Sequence, residues 1–208
     1  MKTQKTIYLF VFDTLSDWEI GYTTAGINNP MMQLKPDQYT LKTFSIDGKP
    51  IRTIGGIKIV PDISMEEVLL SDAKMLILPG GVTWDKGGNK EVAILAKQFH
   101  ENNISIAAIC GATLGLAKAG LLNTIPHTSN SKEYITYSGY TGSDYYISTQ
   151  SISDDGIITA SGTAPLEFAR DIFQELHLYK STVLSAWYEL FKTNTPNAYG
   201  NLMHALEN

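Results

Sequence analysis

The sequence predicts an α/β fold: a mainly parallel sheet sandwiched by helices. Three observations predict it. Ile7 to Phe12, Lys74 to Leu78 and Ile104 to Ile109 are apolar runs of strand length without polar alternation, as expected of strands buried on both faces. Segments with apolar residues at helical spacing lie between them. Each run ends on a polar or glycine feature, namely Glu19, Gly80-Gly81 and Cys110. Ligands in such sheets bind outside the carboxyl ends of the strands, so these three features are expected to converge.

In chain order, Ile7 to Phe12 is the first strand. Asp13 to Asp17 is a turn with Ser16 or Asp17 as N-cap, and a helix follows from Trp18 to Ile27, weakened by Gly21 and two threonines. Residues 31–37 read as loop and Tyr39 to Ile46 as a strand. Ile51 to Val60, interrupted by Gly55-Gly56, reads as a small hairpin or two short extended pieces. Ile63 to Leu70 reads as a short helix in which Ser64 and Glu67 form a capping box. After the Lys74–Leu78 strand, Pro79-Gly80-Gly81 stops the chain. Residues 90–102 carry Val92, Leu95, Ala96 and Phe99 at helical spacing. Beyond the central strand and its helix come an irregular stretch (123–130), a short helix (132–137) and a turn-rich loop (138–144). Tyr145 to Ile152 and Ile157 to Ala160 read as strands joined at Asp154-Asp155-Gly156. Residues 161–176 form an amphipathic helix and Lys180 to Lys192 a last helix. The tail from Asn194 is unassigned. No repeat, linker or second domain is visible, so residues 1–208 read as one domain.

Bulk properties limit the function classes. A net charge of −5 argues against a general binder of nucleic acid or anionic membranes. One cysteine cannot form an internal disulfide, and no stretch approaches a membrane span. The N-terminal apolar run is interrupted by Asp13 too soon for a signal peptide, so a cytoplasmic protein is expected.

The only cysteine, Cys110, sits where the central strand turns into the helix GATLGLAKAGLL. A glycine beside it permits a nucleophile elbow, and the helix N-terminus favours thiolate over thiol. The competing reading is a small buried apolar residue. Glu19 taken alone reads as a solvated first-turn glutamate.

The segments SDWE (16–19), LPGG followed by Trp84 (78–84), AAICGATLGLAKAGLL (107–122) and ASGTAPLEFA (160–169) together resemble the PfpI/DJ-one superfamily, whose fold is flavodoxin-like and of the class I glutamine-amidotransferase type. The resemblance implies a strained elbow cysteine, Cys110, against a carboxylic acid, Glu19. It also implies an oxyanion pocket of N–H groups from Gly80, Gly81 and Gly111, no cofactor, a small-molecule substrate and a homodimer. A carboxyl held beside sulfur and away from water should be protonated and act as donor and acid–base group.

Two positions depart from the pattern. Superfamily members read as proteases place histidine directly after the cysteine, where this chain has Gly111. Many members place a histidine twenty residues after it, where this chain has Asn130. His127 enters the site only if that loop is shifted. His100 and His204 read as surface residues and His177 as a helix-end cation. No His-x-Glu of an amidotransferase triad and no zinc-type spacing is found. Trp84 is a candidate pocket wall. Tyr140, Tyr145, Tyr146 and Thr163 are weaker candidates for the pocket.

Four functions are consistent with this pattern: a cofactor-independent enzyme for small reactive carbonyls (glyoxalase- or deglycase-like), a peptidase or amide hydrolase, a redox or stress sensor acting through oxidation of Cys110, and a ligand-binding domain. The carbonyl enzyme is the leading reading. The missing histidine counts against the peptidase, and the lack of a helix-turn-helix extension against the last.

Overall fold

The computed structural model describes residues 4–207. Its strands are β1 (Lys5–Phe10), β2 (Tyr39–Ser45), β3 (Ile51–Arg52), β4 (Lys58–Ile59), β5 (Ile63–Ser64), β6 (Ala73–Leu78), β7 (Ser105–Ile109), β8 (Ser151–Asp154) and β9 (Ile157–Ala160). Seven of them form one sheet in the order β5-β2-β1-β6-β7-β9-β8, parallel except for β8 against β9. The other two, β3 and β4, pair as a separate antiparallel hairpin.

The helices are α1 (Gly21–Ile27), α2 (Val82–Asp85), α3 (Lys90–Glu101), α4 (Gly111–Lys118), α5 (Lys132–Thr136), α6 (Pro165–Glu175), α7 (Ser181–Thr193) and α8 (Pro196–Glu207). They pack in two groups, α2 to α5 and α1 with α6 to α8, and members of both groups contact β7. That is why every residue of β7 is buried and why its sequence, SIAAI, has no alternation. None of the described helices is long and apolar enough to cross a membrane.

The register places the site. Parallel neighbours β1, β6 and β7 deliver Phe10, Leu78 and Ile109 to the same edge of the sheet, so the chain emerges there three times. Cys110 N–H continues the ladder by donating to Ala160 O at 3.0 Å, which brings the segment after β9 to the same edge.

Several elements differ from the sequence-based expectation. The first helix is split: a 3-10 turn covers Asp17–Glu19 and α1 begins only at Gly21, while Ser16 makes no side-chain cap. The Ile63–Leu70 helix shrinks to a two-residue strand and the 3-10 turn Met65–Glu67. Its cap is present, with Glu67 Oε2 accepting from Ser64 N–H at 2.8 Å. A short helix, α2, follows the Pro-Gly-Gly stop. The Tyr145–Ile152 strand starts only at Ser151, because Tyr145 and Ile147 pair with His127 instead of the sheet. Lys180–Lys192 does not end the fold. Pro196 starts a further helix, α8, whose Ala198 and Leu202 are buried where it packs on α7.

Candidate active site

Cys110 is the N-cap of α4 and has φ 57° and ψ −125°. A non-glycine residue held there stores roughly 1–3 kcal/mol of backbone strain, and the surrounding packing must hold it in place. Thr113 Oγ1 donates to Cys110 O at 2.6 Å and also pairs with Ser129 Oγ at 2.6 Å, which ties the elbow to the 123–130 segment. Beneath the elbow lies Trp84, 2% exposed, with Nε1 donating to Pro79 O at 2.9 Å. A Cβ at Gly115 would lie 2.3 Å from the Trp84 ring, so glycine there makes room for the indole. Trp84 therefore buttresses the elbow from below, on the far side of Gly111 and Gly115.

Glu19 comes from the 3-10 turn after β1 and is fully buried. Gly80 N–H donates to its Oε2 at 2.5 Å, while Oε1 is buried with no hydrogen-bond partner. A Cβ on Gly80 would lie 2.5 Å from Cys110 Cβ and 2.9 Å from Glu19 Oε2, so both side chains close on this one glycine. Burial pushes Glu19 up to about 7, against the lowering effect of the Gly80 N–H. Burial first, then the Glu19 charge, pushes the Cys110 thiol up to about 12. The Gly111 N–H and Asn130 favour thiolate, as expected of the helix N-terminus, but burial outweighs them. At neutral pH the resting pair is thus a thiol beside a carboxyl poised between its two protonation states.

This geometry changes the roles expected for the glycines. The Gly80 N–H is committed to Glu19 and positions the carboxyl; it is not an oxyanion donor. Gly81 and Gly111 remain. The Gly111 N–H starts α4, and Gly111 packs directly on the Gly81 backbone. Among the described residues, no backbone carbonyl takes either N–H. The Gly111 N–H faces the sulfur and the Gly81 N–H lies next to Gly111, so the two are the donors left for an oxyanion.

Asn130 occupies the position where many relatives are expected to have histidine. Its Nδ2 donates to Cys110 Sγ at 3.4 Å and its Oδ1 accepts from Gly162 N–H at 2.9 Å. Gly162 must be small, since a Cβ there would come within 2.7 Å of Sγ. Trp18, half exposed, donates from Nε1 to Gly162 O at 3.1 Å and borders the site from the Glu19 side.

His127 is not part of this cluster. It is fully buried, with Nδ1 on Ile125 O at 2.8 Å and Nε2 on the Tyr140 hydroxyl at 3.1 Å, and Tyr140 and Tyr146 pack edge-on against it. Burial lowers its pKa, so it is a neutral core histidine. Thr163, exposed, is three residues past the end of β9 and bonds to Ser161.

Sequence reasoning missed Tyr134. Its hydroxyl donates to Asp85 Oδ1 at 2.5 Å. The charges of Cys110 and Glu19 add to burial and the Asp85 carboxylate in raising its pKa, which sets the phenol close to the pair. The available signal was local: Ser131 caps α5 immediately after Asn130, and Tyr134 lies in that first turn. Among the described residues, no group of three or more His, Cys, Asp or Glu is placed to hold a metal ion.

A strained cysteine at the β7–α4 turn, facing a buried glutamate from the segment after β1, agrees with the family match. Residues 5–175 match the DJ-1/PfpI family. The chain belongs to that family. Among relatives of this DJ-1/PfpI chain, a Bacillus subtilis protein named "Uncharacterized protease YoaZ" is 40% identical over 99% of both chains. A second from the same organism, "Uncharacterized protease YdeA", is 33% identical over 82% of both. Of the solved structures, a thiJ/pfpI family protein from Bacillus anthracis superposes with a TM-score of 0.91 at 37% identity, covering 99% of both chains.

Proposed function

We propose that this DJ-1/PfpI chain is a cysteine enzyme that converts small 2-oxoaldehydes to 2-hydroxy acids without a cofactor. One observation carries the reading: the buried Glu19 carboxyl is gripped by the Gly80 N–H and meets the Cys110 thiol, with a pKa near 7. A carboxyl with a pKa near 7 in contact with the thiol suits repeated proton transfer at neutral pH.

Ionised Glu19 takes the Cys110 proton as Sγ adds to the aldehyde carbon. The same proton passes to the aldehyde oxygen and gives a thiohemiacetal, whose oxygen lies against the Gly81 and Gly111 N–H groups. Glu19 then takes the proton from the former aldehyde carbon to give an enediol and returns it to the neighbouring carbon, while the hydroxyl proton passes from the thiohemiacetal oxygen to the former ketone oxygen. The product is a 2-hydroxy thioester on Cys110. Water hydrolyses it, releasing the acid and restoring the thiol. The aldehyde carbon is oxidised as the adjacent ketone is reduced, so no external oxidant or reductant is required.

The word protease in the relatives' names makes peptide cleavage the second reading. A leaving amine must be protonated, which cysteine peptidases usually assign to a neighbouring histidine. Gly111 follows Cys110, and the partner of Sγ is an amide, Asn130, which transfers no proton. These features favour the carbonyl substrate. The test is carbon-13 NMR of labelled methylglyoxal with purified protein, alongside casein. Lactate formation that is absent in Cys110→Ala supports the carbonyl reading. Casein cleavage without lactate overturns it.

A further inference from the structure

Away from Cys110, a cavity of about 340 Å³ opens between α3 and α4. One wall is a stripe of α3, with Lys90, Ala93, Ile94 and Lys97 at helical spacing. The other is Gly115 and Lys118 of α4 with its C-cap, Ala119. Trp84 and the Gly87-Gly88 turn complete the lining. The cavity thus combines an apolar surface with three lysines in a chain whose net charge is −5.

None of the three lysines has a carboxylate partner among the described residues. Lysines elsewhere do form such pairs, as in Lys49–Asp47 and Lys192–Glu167. Lys90 is also at the first position of α3, where the helix dipole disfavours a cation. The preceding residue, Asn89, is only 5% exposed and makes no side-chain cap. Lys90 at an uncapped helix start on the cavity wall, with Lys97 and Lys118 beside it, leaves three cations around one apolar cavity that all lack the same thing, an anion.

We propose that this cavity binds a small amphipathic anion, its alkyl or aryl body against Trp84, Ala93 and Ile94 and its carboxylate or phosphate among Lys90, Lys97 and Lys118. The size suits one small molecule, and pockets of this class combine apolar walls with a few polar groups that fix orientation. This site stands independently of the Cys110 chemistry.

The test is NMR titration of the full chain with octyl phosphate, octanoate, octanol and inorganic phosphate, following the amides of Gly87, Gly88 and Gly115. The expected result is saturable shifts with octyl phosphate or octanoate at least tenfold tighter than with octanol, and no saturation with inorganic phosphate. Combined Lys90→Gln, Lys97→Gln and Lys118→Gln should weaken the anionic ligand at least tenfold and leave octanol unchanged. Ala119→Phe should block both, and Lys58→Gln on β4 should affect neither. Equal affinity for octanol and octyl phosphate, anion binding unchanged in the triple variant, or no saturable shift with either anion would overturn the proposal.

Discussion

Gly80 and Glu19 form the hinge of the site: the Gly80 N–H grips Oε2 at 2.5 Å, and the space where a Gly80 side chain would begin is filled by Cys110 Cβ. Alanine at Gly80 cannot be accommodated without moving the Glu19–Cys110 pair. Overpacking of this kind costs roughly 1–3 kcal/mol. Gly80→Ala should lower the thermal midpoint and reduce kcat/KM at least tenfold, measured by calorimetry and methylglyoxal turnover.

Glu19 is a stability liability above neutral pH. Its folded pKa, about 7, lies above the ordinary 4.5 of the unfolded chain. The folded state therefore binds the proton more tightly, and stability present in full below pH 4.5 is lost as pH rises through 7. The loss approaches about 3 kcal/mol by pH 8. Glu19→Gln should thus be more stable than wild type at pH 8 and nearly equal at pH 4.5, as urea denaturation at the two pH values will show. A gain of equal size at both values would mean that ionisation is not the cause.

Asn130 connects Cys110 Sγ to Gly162 through one amide. Asn130→Ala removes both hydrogen bonds, and each is worth about 1 kcal/mol. Turnover should fall roughly tenfold to hundredfold. Asn130→Asp should fall further, because a second anion beside Glu19 raises the cost of ionising either group. Wild-type rates in both variants would show that the amide is not part of the working site.

His127 provides the contrast. His127→Phe deprives the Tyr140 hydroxyl and Ile125 carbonyl of their partner in a fully buried setting, at a cost of roughly 1–3 kcal/mol for each unsatisfied group. The melting temperature should drop while kcat/KM of the folded fraction changes less than threefold. A large kinetic loss without destabilisation would return His127 to the site.

The sheet and the convergence of Glu19, Gly80-Gly81 and Cys110 were legible because buried parallel strands leave unbroken apolar runs that end where the chain must turn. What was not legible depends on which of several local hydrogen bonds wins. Nothing in PGG reveals that Gly80 N–H turns to Glu19 instead of to a substrate oxygen. The thiol's resting state depends on how deeply Cys110 is buried, which outweighs the helix N-terminus visible in the sequence. Tyr145 to Ile147 has strand composition, yet its backbone pairs with His127. At α8, Pro196 and the apolar spacing of Ala198 and Leu202 are helix signals that were available.

The central claim is that Glu19 takes and returns the Cys110 proton. The most direct measurement is kcat/KM for methylglyoxal between pH 5 and 9, in wild type and in Glu19→Gln. The wild-type rate should climb through a midpoint near pH 7, where Glu19 becomes ionised, and then level off. It should fall by about a hundredfold or more in Glu19→Gln, within the usual range for losing a general base, with the midpoint gone. An unchanged midpoint, or near wild-type turnover without the carboxylate, would contradict the claim.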